Sequence, residues 1–132
     1  MKLITRNTDY AIRALCFIAN NDKEIVTTSL LNRKLKIPRP FLRKILQILN
    51  SEGILNSFKG QGGGFSLAVS PDKIYLLNLM EIFQGELELS ECLFKKKICP
   101  DTKTCPLKRK ILDIEKTIVS KLNSITIGSL LK

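Results

Sequence analysis

The chain has 132 residues, 22 Lys and Arg against 12 Asp and Glu, no histidine, 44% hydrophobic residues and a formal charge of +10. That length and apolar content predict a single compact unit with a buried core and exclude a disordered chain. The lack of histidine removes Ser-His-Asp and Cys-His nucleophile pairs and histidine acid-base chemistry, so the expectation is a non-enzyme whose positive charge calls for a polyanion, either nucleic acid or an anionic membrane surface.

The opening residues MKLITRNTDYAIRALC carry charges at Lys2, Arg6, Asp9 and Arg13 and so lack the apolar stretch of a secretory signal. No apolar run approaches the roughly 20 residues of a membrane span, and the expectation is a soluble cytoplasmic protein without a membrane partner. Ala11, Ala14, Leu15, Ile18 and Ala19 share one helical face, predicting a first helix from Thr5 to about Asn20. After the polar turn NNDKE, Thr28 is expected to cap a short second helix that buries Leu30, Leu31 and Leu35 and stops at Ile37-Pro38. Pro40 suits the first turn of a third helix that runs to about Glu52, turns Leu42, Ile45, Leu46 and Leu49 inward, and ends at Gly53. Arg39, Arg43, Lys44 and Gln47 lie on its other face. Ile54 to Lys59 and Phe65 to Val69 read as strands joined by Gly60-Gln61-Gly62-Gly63-Gly64.

Three short helices followed by a glycine-tipped hairpin have the order of a winged helix-turn-helix. From Val26 to Gly60, seven Lys or Arg stand against the single acid Glu52. Taken alone, the basic third helix reads equally as a solvated surface, and the glycine loop as a flexible hairpin. A phosphate-binding loop is excluded, because no Gly-Lys-Ser/Thr follows and no helix opens. Taken together, the two features point to duplex DNA. The third helix would enter the major groove with Arg39, Arg43, Lys44 and Gln47, and the wing, with Lys59 at its base and Gly60, Gln61, Gly62 and Gly63 at its tip, would enter the minor groove. Arg43 is the best candidate for gripping a guanine edge, while Arg33 and Lys59 would hold phosphates.

Beyond Pro71, IYLLNLMEIFQG reads as a short strand or turn and a helix ending near Gly85, with Leu76, Leu79, Met80, Ile82 and Phe83 as core. Leu107, Ile111, Ile114, Ile118, Leu122 and Ile125 then recur at intervals of three and four, predicting an amphipathic helix of roughly eighteen residues. Its apolar face exceeds what the first half can cover. It reads as the dimer helix of a homodimer on a near-palindromic DNA site, with packing inside its own chain as the alternative. The expected fold is mainly α with a small β-hairpin wing. Residues 1–85 form the winged helix-turn-helix DNA-binding region, and residues 86–132 the cysteine loop and dimerisation helix.

Residues 86–105 lack helical periodicity and contain Cys92-x6-Cys99-Pro100-x4-Cys105, three thiols within fourteen residues. Three surface cysteines are the plain reading, but exposed free thiols are a liability. Tetrahedral zinc calls for a fourth Cys or His and typically a C-x2-C hook, and neither is present. Iron-sulfur clusters accept such loop spacings, and Lys95, Lys96, Lys97, Lys103, Lys108, Arg109 and Lys110 in the same stretch favour thiolates. Cys16 stands apart in the first helix and reads as a small buried residue.

The start TDYAIRAL, the region IPRPFLRKILQIL, the wing GQGGGFSLA, the three-cysteine loop and the closing ITIGSLL resemble, over essentially the full length, the bacterial winged-helix transcriptional regulators of the Rrf-two type. The resemblance implies a homodimeric transcription factor, a repressor, whose cysteine loop holds an iron-sulfur cluster. That cluster would set operator affinity in response to nitric oxide, redox state or iron and cluster supply. In one branch of the family a histidine three positions after the last cysteine completes the ligands. Here that position is Lys108, so that ligand set does not apply. The nitric oxide-sensing branch matches at Asp9, which implies a carboxylate ligand from the partner subunit's first helix on a 4Fe-4S rather than a 2Fe-2S cluster, alongside Cys92, Cys99 and Cys105. Asp9 also reads as an ordinary first-turn acid favoured by the helix dipole. Lys36 stands where relatives commonly have glycine, which bears on the helix-turn-helix turn. Two alternatives stand beside this reading: a cluster-free winged-helix regulator controlled by thiol oxidation or a partner protein, and a zinc-stabilised nucleic-acid-binding module.

Overall fold

The computed structural model describes residues 2–21, 24–89 and 106–131; Cys92, Cys99 and Cys105 lie outside them. The first helix, α1 (Arg6–Asn20), is capped by Thr5, whose hydroxyl accepts from the Thr8 N–H, and it buries Thr8, Ala11, Ala14, Leu15, Ile18 and Ala19. Its apolar stripe is thereby the centre of the molecule, with four later helices and the hairpin packed around it.

The second helix, α2 (Thr28–Leu35), is capped one residue earlier than predicted: Thr27, not Thr28, accepts the Leu30 N–H, at 3.1 Å. The cause is tertiary. Val26 is held in a β-bridge to Phe65, with N–H to carbonyl bonds of 2.9 and 2.8 Å, so Thr27 is the first residue beyond the extended segment and takes the cap. Within α2 only Leu31 is fully buried, while Leu30 and Leu35 are half-buried against the same core. The helix closes at Lys36 in the left-handed conformation, φ 57° and ψ 33°, and the Asn32 side-chain amide donates to the Ile37 carbonyl at 2.7 Å across this turn. Among the described residues Lys36 is the only non-glycine at positive φ.

The third helix, α3 (Arg39–Ser51), carries Pro40 in its first turn and buries the predicted set Leu42, Ile45, Leu46 and Leu49. Strands β1 (Leu55–Phe58) and β2 (Gly64–Leu67) then pair antiparallel, Leu55 opposite Leu67 and Phe58 opposite Gly64. A Cβ at Gly64 would run into the Val26 carbonyl, so glycine there lets Val26 lie along the outer edge of β2. A 3-10 turn at Pro71–Lys73 leads to α4 (Leu76–Gln84), and α5 (Pro106–Asn123) and the short α6 (Ile127–Leu130) follow.

The main core gathers Leu15, Ile18, Leu31, Ile37, Leu42, Leu46, Leu49, Leu79 and Ile127. A smaller cluster of Leu76, Met80 and Leu122, with Ile4, Ile12, Ile118 and Ile125 against it, fastens the end of α5 to α4. Bonds from Leu76 N–H to the Ile125 carbonyl and from Ile127 N–H to the Ile74 carbonyl, both 2.9 Å, bring the C-terminal segment back onto the first half. Among the described residues no helix is long and apolar enough to cross a membrane.

Candidate nucleic-acid interface

The inward commitment of α3 decides what its outer face can do. With Leu42, Ile45, Leu46 and Leu49 fixed in the core at 3- and 4-residue spacing, Arg39, Arg43, Lys44 and Gln47 must share the opposite side, and all four are exposed. Arg39, Arg43 and Gln47 are four residues apart, so they form one row along the helix, with Lys44 beside it. No acid lies within α3; Glu52 follows its last residue. The row presents cationic and amide donors along one side of a helix, an element that a DNA major groove is wide enough to admit.

Two further elements flank it. Arg33, Lys34 and Lys36 are exposed at the end of α2. At the hairpin tip Lys59, Gly60, Gln61 and Gly62 are exposed, Gly63 is half-buried, and the Gly63 N–H bonds the Gly60 carbonyl at 3.0 Å. A Cβ at Gly63 would collide with the carbonyl oxygen of Phe58, so this tight return admits glycine alone and leaves the tip thin. All ten predicted DNA contacts therefore fall on three consecutive structural pieces, and all except Gly63 are exposed.

Asp9 sits on the first turn of α1, and its Oδ2 accepts from Arg13 Nε at 2.8 Å, the two side chains being 45% and 61% exposed. The Asp9 hydrogen bond, reinforced by its charge, holds the Arg13 guanidinium above the ordinary arginine pKa. At this exposure the pair adds little to stability. Cys16 is half-buried, and burial pushes its thiol pKa up, keeping it neutral as suits a packing residue. No three His, Cys, Asp or Glu side chains among the described residues come together as a metal site.

Two contacts around the first turn of α1 have no counterpart in the periodicity. Arg6 places its guanidinium 4.9 Å from the centre of the Phe41 ring, and Gln84 at the end of α4 accepts from Thr8 Oγ1 at 2.7 Å. Both join residues far apart in the chain. The Thr5-x-x-Thr8 pair, two hydroxyls at capping spacing, marks the start of α1 but gives no sign of these partners.

A family model described as an iron-dependent transcriptional regulator, Rrf2, matches residues 4–132. The chain belongs to the Rrf2 family. It is thus placed among DNA-binding transcriptional regulators, not enzymes. It is 38% identical over 92 residues to a protein of Aquifex aeolicus classed with HTH-type transcriptional regulators; that match covers 70% of this chain and 64% of the Aquifex protein. With the HTH-type transcriptional regulator NsrR of Bacillus subtilis the identity is 27%, covering the whole of this chain and 91% of the other. Among solved structures, CymR, the global cysteine regulator of B. subtilis, superposes with a TM-score of 0.82 at 20% identity over 99% of this chain and 97% of that one, which establishes the Rrf2 winged-helix fold for the present chain.

Proposed function

We propose that this Rrf2 regulator acts as a homodimeric repressor on a near-palindromic DNA site. Residues 1–85 would do the reading, and residues 86–132 the sensing and dimerisation. The observation that carries the reading is the acid-free outer face of α3, where Arg39, Arg43, Lys44 and Gln47 stand exposed beside the thin wing. Arg43 is suited to grip a guanine edge with two hydrogen bonds, and Arg33 and Lys59 to hold phosphates on either side. The apolar seam of α5 supports the dimer, since Leu107 and Ile114 are 68% and 50% exposed and call for a second surface.

The finer part of the proposal is that Cys92, Cys99 and Cys105 hold a 4Fe-4S cluster together with Asp9 of the partner subunit. The chemistry of the donors fits: three cysteines within fourteen residues, no histidine in the chain, and a carboxylate that reaches the surface instead of being consumed inside its own core. When bound, such a cluster supplies a centre that reacts with nitric oxide and oxidants. Carboxylate oxygen is a harder donor than thiolate and the weaker match for cluster iron, so Asp9 is the bond most easily given up. As a ligand, Asp9 would tie the first turn of α1 in one chain to the cysteine segment of the other; without a cluster it accepts from Arg13. The resemblance to the nitric oxide-sensing branch and the identity with B. subtilis NsrR support this choice of ligands.

The test is DNA binding by cluster-loaded and cluster-free protein, compared anaerobically at one salt concentration, with iron and sulfide analysis of each sample. A shift from mostly bound to mostly free requires the two forms to differ in affinity by about a hundredfold or more. Equal affinities would remove the switch. Zinc in place of iron, or a metal-free protein whose binding follows thiol oxidation, would replace the cluster reading with another.

A further inference from the structure

Gln84 is the last residue of α4, and its amide is engaged on both arms. The oxygen accepts from the Thr5 N–H at 3.1 Å and from Thr8 Oγ1 at 2.7 Å, while the nitrogen donates to the Leu3 carbonyl at 2.9 Å. Thr8 is the only fully buried polar side chain among the described residues, and its hydroxyl also lies 3.1 Å from that of Thr5. A buried hydroxyl is tolerated only when bonded, so a movement of the last turn of α4 must carry the first turn of α1 with it or take from Thr8 and the Thr5 N–H their shared acceptor, leaving Thr8 only the Thr5 hydroxyl.

The opposite side of that same turn faces α3. The Arg6 guanidinium lies over the Phe41 ring, and the Tyr10 ring centre is 6.5 Å from that of Phe41. Phe41 is in the first turn of α3, two residues before Arg43. Between α3 and the end of α4 there is instead an open cleft of about 310 Å³, walled by Phe41, Lys44, Ile48 and Phe83 and rimmed by Arg6. The first turn of α1 thus makes close contacts with both the end of α4 and the start of α3.

In sequence, the cysteine segment follows α4 closely. Cys92 comes eight positions after Gln84, and just before it the Leu89 N–H bonds Glu115 Oε1 of α5 at 3.3 Å. Asp9 is the immediate neighbour of Thr8.

We propose that Gln84 is a positioning residue for DNA recognition: its amide sets the first turn of α1, and through Arg6 and Phe41 that turn sets the N-terminal end of α3. A change in the cysteine segment would then reach the reading helix by rotating the last turn of α4. The proposal rests on the reading of α3 as the DNA-reading helix and of the cysteine segment as the sensor.

The experiment uses the full chain and Gln84→Met, which keeps the length of the side chain and removes both polar arms. Gln84→Glu, which keeps the acceptor for Thr5 and Thr8, serves as the rescue. Amide exchange is followed at Thr8 and Asp9 in α1 and at Leu42 and Arg43 in α3, together with iron content and anaerobic DNA binding of loaded and free protein. In Gln84→Met we expect unchanged iron content, exchange about tenfold faster at Leu42 and Arg43 as well as in α1, and a loaded-to-free affinity ratio collapsed to within about twofold of one. Gln84→Glu should recover most of both. Faster exchange confined to α1, with Leu42 and Arg43 unchanged, would overturn the proposal. Should wild type itself bind DNA equally in its two forms, the sensor reading fails, and exchange at Leu42 and Arg43 still decides whether Gln84 positions α3. Were Gln84→Met not to fold, Thr8→Val against Thr8→Ser deletes and keeps the same bond, and exchange at the same amides decides between the two outcomes.

Discussion

α3 and α5 show the same apolar spacing and meet opposite fates. In α3 the four inward residues Leu42, Ile45, Leu46 and Leu49 are at most 2% exposed, because α1, α2 and β1 close over them. In α5 only Leu122 is buried, while Leu107, Leu112 and Ile114 are 68%, 43% and 50% exposed. Periodicity marks a face that needs cover; which surface covers it depends on what the rest of the fold brings near. For α3 the cover is its own chain, and this leaves the charged side free to meet DNA. For α5 the described residues supply α4 and the residues around Ile4 and Ile12, toward its C-terminal end. Under the proposed dimer, a second copy covers the remainder.

The sharpest way to break this contrast is to damage each seam and watch the concentration dependence. Leu46→Ala should lower the unfolding free energy by about 2–5 kcal/mol, since a fully buried leucine leaves a cavity, and urea titration should give that loss at any protein concentration. Ile114→Asp should leave the dilute chain folded and weaken self-association about a hundredfold, or roughly 3 kcal/mol, read by sedimentation velocity. A dimer unaffected by that change would mean the exposed seam belongs to some other contact.

The charged side of the comparison comes next in size. Arg43→Ala should cost about 1–3 kcal/mol on the preferred site and relax selection at one base position, measured by binding to a panel of single-base variants; unchanged affinity and preference would sink the assignment of α3. Lys59→Ala should weaken all sequences alike and reduce the slope of log K against log salt by about one unit. The smallest effect concerns the turn between the helices. Lys36→Gly should raise stability by about 0.5–1 kcal/mol by relieving a left-handed lysine, without altering the salt slope if Lys36 holds no phosphate.

Much of the fold is legible in local pattern. The α3 core set, the hairpin around residues 60–64 and the length of α5 all follow from spacing and turn chemistry, because one buried face imposes a period and glycine marks a return. The cap of α2 is Thr27, one residue before the predicted one, because it depends on Val26 pairing with Phe65, about forty residues along the chain. The ligand candidates divide in the same way. The cysteine spacing is visible in the sequence itself, and Asp9 stands out there only through the family resemblance.

What the amino-acid sequence determined by itself was which residues must hide and which must carry charge: a helix with leucine and isoleucine on one side and Arg39, Arg43, Lys44 and Gln47 on the other has little choice. Tertiary structure alone decided what touches what across the chain. Nothing in the local pattern says that Gln84 bonds a hydroxyl 76 positions away, or that Arg6 lies over Phe41. Those contacts are set by where whole helices come to rest, and helices come to rest where their combined apolar faces close a common core, with polar side chains then pairing with whatever the packing puts within reach.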